Sequence, residues 1–114
     1  MPFISVSVSC TLTKTQKDDI KSRLGKLIEI LPTKTEKSLM VDISDNHSIY
    51  YAGEENEKNA FIDLRIYKES PFDAKSEFFR RMCDMLGEVA GIDNDNIYFN
   101  VFELSNWGLK GNFK

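Results

Sequence analysis

The chain has 114 residues, 41% hydrophobic and 29% charged, with 15 basic and 18 acidic residues giving a formal net charge of −3. One domain over residues 1–114 can bury a core at this length without disulfides or metal, and the composition is that of a globular chain rather than a disordered one. The charges are mixed, with no basic stripe to suggest nucleic acid, and no apolar run approaches the roughly 20 residues of a membrane span.

The start, MPFISVSVSC, lacks the basic and long apolar regions of a signal peptide, so a cytoplasmic protein is expected. Residues 3–8 alternate apolar and polar and predict a first strand. Thr13 is placed to cap a helix, with Gln16 three residues on to close a capping box. Ile20, Leu24, Leu27, Ile28 and Leu31 make its apolar stripe. Pro32 stops it, because it lacks an N–H and disfavours helical backbone at Leu31. Residues 39–44 read as a second strand, Asp45-Asn46-His47 as a turn, and residues 49–51 as a short edge strand.

The pattern then repeats. Ala60, Ile62, Leu64 and Ile66 alternate with Phe61, Asp63, Arg65 and Tyr67. Ser70-Pro71-Phe72-Asp73 predicts a helix start, with Ser70 capping and Pro71 in first position. Phe78, Phe79, Met82, Cys83, Leu86, Val89 and Ala90 form its apolar stripe, and Gly91 is a left-handed terminator. Residues 97–104 are the last long strand, followed by a tail with Trp107 and Phe113. Two β-α-β units predict an α+β fold: a four-stranded mixed sheet with both helices on one face. The second face holds Phe3, Met40, Phe61, Tyr67, Tyr98 and Phe102 among Ser5, Ser7, Asp42, Asp63, Arg65 and Asn100. So many exposed aromatics suggest an oligomer packed on that side.

The common catalytic sets are missing. The single histidine, His47, lies in a polar turn, and Cys10 and Cys83 are far apart and read as reduced thiols. No His/Cys cluster has metal-ligand spacing, and no phosphate-binding glycine motif occurs. Pro2 is less ordinary. Removal of Met1 would leave a secondary amine at the chain start, and burial beside a cation would lower its pKa into the range of a general base.

MPFISVSVS, Lys34 seven residues before Val41, YYAG at 50–53 and NIYFNVFELSNWGLKGNF at 96–113 together resemble the macrophage migration inhibitory factor branch of the tautomerase superfamily. The resemblance runs nearly end to end and is sharpest in the tail. It implies a homotrimer with active sites between subunits, and needs no cofactor or metal. It also implies keto–enol tautomerisation of a 2-keto acid such as phenylpyruvate. Pro2 would be the base, Lys34 (with Lys37 its chemical rival) would hold the substrate carboxylate, and Ile66 and Tyr67 would offer backbone contacts. Tyr98 and Asn100 would come from the neighbouring subunit, with Trp107 and Phe113 as pocket walls. This chain departs from the family at Thr33, at the glycine-free stretch Lys68-Glu69-Ser70-Pro71, and at Tyr67, where a smaller aliphatic is common. The rival expectation is a binding or signalling protein on the same fold, with a receptor-like partner, a vestigial pocket and non-classical secretion. Other small-acid chemistry in the superfamily uses extra arginines, and Arg65 is the only strand-borne one here.

Overall fold

Alternate residues of the first strand vanish from solvent: Ile4, Val6 and Val8 have no or almost no exposed surface, whereas Phe3, Ser5 and Ser7 keep some. In the computed structural model, which describes residues 1–55 and 58–114, that strand is β1 (Pro2–Val8). It pairs in parallel with β2 (Met40–Ser44) and antiparallel with β3 (Ala60–Tyr67). β3 pairs in parallel with β4 (Ile97–Leu104), so the sheet order is β2-β1-β3-β4. This is the mixed sheet that two β-α-β units require.

The helices α1 (Lys14–Leu27) and α2 (Phe72–Ala90) pack against each other and on the same sheet face. Thr13 caps α1 with Gln16 completing the box. The chain leaves α1 through a 3₁₀ turn, Ile28–Ile30, and becomes extended at Leu31, before Pro32. At α2 the expected cap is corrected. Pro71 itself occupies the cap position and Phe72 begins the helix, while the backbone N–H of buried Ser70 donates to the Glu103 carboxylate at 2.7 Å. Lys75 reaches the same carboxylate at 2.9 Å, and together they hold it below the usual glutamate pKa. Gly91 ends α2 in the left-handed region.

One local expectation changes. Residues 49–51 form no strand; Tyr51 and Glu54 close a tight turn through paired backbone hydrogen bonds, with Ala52 and Gly53 both at positive φ. The tail is a hairpin, β5 (Gly108–Leu109) with β6 (Asn112–Phe113), turned by Lys110 and Gly111, again both at positive φ. Two successive left-handed residues are the turn that suits the twist of a two-residue hairpin. Among the described residues no helix is long and apolar enough to cross a membrane.

The core lies between the helices and the sheet, with Phe78, Met82 and Leu86 of α2 fully buried against Ile62, Leu64 and Ile66. Phe78 also meets the ring of Phe99 at 6.0 Å. Thr33 and Lys68, each beside a candidate site residue, adopt positive φ (66° and 68°). Without a glycine this backbone crowds Cβ against the carbonyl, worst for a β-branched side chain. Thr33→Gly is expected to raise the unfolding free energy by about 1 kcal/mol, read from urea midpoints at one protein concentration. Phe78→Ala is expected to lower it by roughly 3–5 kcal/mol in the same measurement.

Candidate functional site

Register decides what surrounds the chain start. Pro2 lies opposite Ile66, and Phe3 lies opposite both Met40 and Arg65. Pro2 is buried and Ile66 has no exposed surface. The loop after α1 brings Lys34 to the same end of the sheet, where its ammonium donates to the backbone carbonyl of Tyr67 at 3.3 Å. Lys37, the rival, lies on the exposed 3₁₀ turn Glu36–Ser38. The ammonium groups of Lys68 and Lys114 lie 5.2 and 5.4 Å from the centre of the Tyr67 ring, within cation–π reach. The chain's terminal ammonium, on Met1, is held below its usual pKa, first by burial and then by the positive charges of Lys34 and Lys114.

The C-terminal hairpin borders this end of the open sheet face. Trp107 and Lys114 exchange backbone hydrogen bonds at its base. Under it lies a cleft of about 540 Å³, bordered by Met1, Pro2, Arg65, Trp107 and Phe113. The volume is that of an ordinary small-molecule site. Arg65 lies in it between two rings, 6.0 Å from Phe3 and 5.4 Å from Phe102.

Tyr98 and Asn100 are elsewhere. Tyr98 is paired with Phe61 and Asn100 with Asp63, five and three residues along β3 from the partner of Pro2. At about 3.3 Å per residue, Tyr98 lies roughly 16 Å along the sheet from the proline's end. It packs against Tyr51, ring centres 5.4 Å apart, and Phe61, 6.5 Å apart. The Tyr98 hydroxyl beside it pushes the Tyr51 phenol above its usual pKa. These three rings and buried Asn59 border a second cavity of about 400 Å³. Asn100 is exposed, with its side-chain carbonyl accepting from the Val101 N–H. One chain therefore gathers Pro2, Lys34, Ile66, Tyr67, Trp107 and Phe113 at one end and leaves Tyr98 and Asn100 apart.

Two residues near these clefts were not legible as site residues, and a third, Arg65, was legible only in part. The Lys114 charge bears on the terminal amine only because the hairpin folds back. Tyr51 supports Tyr98 through a turn, not the strand its neighbours suggested. Arg65 enters the cleft because alternation turns it to the open face; that parity was readable, its aromatic slot was not.

No protein-family model matches the sequence, and no curated protein matches it. Solved structures do. MIF2 from Leishmania major superposes with a TM-score of 0.92 at 20% identity, over 100% of this chain and 97% of that one. Pt0534, described as inactivated by 2-oxo-3-pentynoate, gives 0.83 at 14% identity, over 96% and 93%. A fused 4-OT protein described as a symmetric trimer gives 0.80 at 14% identity, over 90% and 86%. The fold is the one these macrophage migration inhibitory factor and 4-OT proteins have.

Lys34→Met and Lys114→Met are each expected to raise the pKa of the terminal amine, because removing a nearby cation relieves the charged form. An NMR titration of chain labelled with ¹⁵N at its first residue measures this; an unmoved pKa in both variants would mean that solvent screens the lysines.

Proposed function

We propose that this protein is a keto–enol tautomerase for 2-keto acids, acting as a homotrimer with the ring nitrogen of Pro2, freed by loss of Met1, as general base. The observation that carries the reading is the position of Pro2: buried at the strand start, at the edge of an aromatic-walled cleft, with the Lys34 charge near the amine of Met1, the residue before it. Burial and an adjacent cation both favour an uncharged amine, which is the form that accepts a proton near neutral pH.

The reaction needs little else. The Lys34 ammonium pairs with the substrate carboxylate and orients the acid. The Pro2 nitrogen takes a proton from C3, the C–H electron pair becomes the C2=C3 double bond, and the carbonyl oxygen takes up a proton to give the enol. The reverse sequence returns the keto form. Ile66 and Tyr67 edge the site, and a donor near the developing oxyanion lowers the barrier further. In this reading Tyr98 and Asn100 of a neighbouring subunit supply that donor and close the pocket. Their distance from Pro2 within one chain supports a shared site, as do the exposed aromatics of the open face: Tyr98 at 57%, Phe102 at 40% and Phe61 at 39%. The trimeric 4-OT protein and the 2-oxo acid inactivator of Pt0534 fit the same scheme.

Met-free protein is expected to enolise phenylpyruvate above the buffer rate, and Pro2→Gly to lose about 10²-fold or more of that activity. No rate above buffer from the Met-free chain would leave the receptor-binding reading instead. A shared site makes a second demand. Pro2→Gly and Tyr98→Ala subunits, each inactive alone, should recover roughly a quarter of the wild-type rate when unfolded and reassembled together, since one interface in four pairs two intact halves. No recovery from assembled mixed trimers would mean that each chain works by itself.

A further inference from the structure

The crossing from β3 to α2 is held from the end of β4. Tyr67 pairs with Leu104 on the last rung of the β3–β4 ladder, and Ile66 pairs with Glu103 on the rung before it. Just past the ladder, the Lys68 N–H donates to the Leu104 carbonyl at 2.7 Å. Glu103 then spans the crossing. One of its carboxylate oxygens accepts the Ser70 N–H at 2.7 Å, and the other accepts from the Lys75 ammonium near the start of α2 at 2.9 Å. Hydrogen bonds to a charged acceptor are roughly twice as strong as neutral ones. This ion pair is also sheltered, with Lys75 20% and Glu103 24% exposed, unlike the open pairs on the helix surfaces. Lys68 sits at φ 68° between the two anchors. A residue other than glycine keeps that backbone only where its surroundings over-determine it.

What the crossing presents is the Tyr67 carbonyl, which accepts from the Lys34 ammonium at 3.3 Å. Among the described residues Lys34 makes no ion pair, so that carbonyl is its anchor. Accepting the reading of Lys34 as the partner of the substrate carboxylate, we propose that Glu103 is a positioning residue for that site. By tying Ser70 and Lys75 to β4 it aims the Tyr67 carbonyl, and the carbonyl in turn holds the Lys34 ammonium where a 2-keto acid meets it. Glu103 touches no substrate. It borders the groove beside Phe72 and Phe79, not the cleft beside Pro2, so its negative charge is kept off the anion's own pocket.

Tyr67-Lys68 is the one Tyr-Lys pair in the sequence. Labelling tyrosine carbonyls with ¹³C and lysine amides with ¹⁵N therefore gives a single NMR correlation that reports the Tyr67 carbonyl. Lys34→Met should move that carbonyl resonance upfield, because a hydrogen bond to it is lost. Glu103→Ala should move it most of the way there, and should add little in the Lys34→Met background, since both changes act on one bond. Glu103→Gln loses the same charge but keeps an oxygen for the Ser70 N–H, so it should stay near wild type. In Met-free protein enolising phenylpyruvate, Glu103→Ala should raise KM about fivefold or more with kcat within about twofold, the pattern of weakened uniform binding. That effect should likewise vanish without the Lys34 ammonium. Glu103→Val, with its strong strand preference, takes the place of Glu103→Ala if the alanine variant is unstable. Circular dichroism and sedimentation check that each variant is folded and assembled. A Tyr67 carbonyl resonance that Lys34→Met or Glu103→Ala leaves in place, or a shift and KM change that persist undiminished in the Lys34→Met background, overturns this proposal and leaves the tautomerase intact. Absence of enolisation by the wild type overturns the tautomerase, and the carbonyl resonance then still decides whether Glu103 positions Lys34.

Discussion

The antiparallel register of β1 on β3 is the constraint on which everything else turns. With Pro2 opposite Ile66, Ile4 opposite Leu64 and Val6 opposite Ile62, all even positions of both strands enter the core. A slip of one residue would send that apolar set to solvent and bring Phe3, Ser5, Asp63 and Arg65 beneath the helices. Burying the even residues thereby fixes where the proline nitrogen sits and which side chains flank it. The site is a by-product of packing the core, not a separate construction.

The same register sorts the open face into rows. Met40, Phe3, Arg65 and Phe102 lie across one end, and Ser44, Ser7, Phe61 and Tyr98 across the other. Between them runs a polar row of Asp42, Ser5, Asp63 and Asn100. The proline and cations belong to one end, Tyr51 and Tyr98 to the opposite one. A rigid sheet cannot bend those ends together, so any site using both draws them from different copies.

Charge follows a comparable division. The helix surfaces carry local networks, such as Arg23 with Asp19 and Glu88, and Glu77 with Arg80 and Arg81. Such exposed pairs add little stability, but they consume the acidic side chains near them. Among the described residues, Lys34, Lys68, Lys114 and Arg65 at the proline end have carbonyl or ring partners instead of carboxylates. An acidic protein thus keeps a local positive field at the proline end of its sheet.

The sequence alone carried the strand–helix–strand duplication, the sorting of residues between the two sheet faces, the capping box at Thr13 and the left-handed stop at Gly91. Each depends on neighbours a few residues apart, whose periodicity or cap chemistry can be read along the chain. It also brought Pro2 and Lys34 forward, through their positions in a family pattern. Only the folded chain decided the cap at α2, where Pro71 stays extended and Phe72 begins the helix. The turn at Tyr51 and the tail hairpin rest on Ala52 and Lys110 in left-handed conformations that their residue types do not announce. The contact of Lys34 with the Tyr67 carbonyl, the charge of Lys114 near the terminal amine and the aromatic slot of Arg65 likewise required three dimensions. Those interactions join segments tens of residues apart, and through-space electrostatics and ring stacking leave no period in the sequence to betray them.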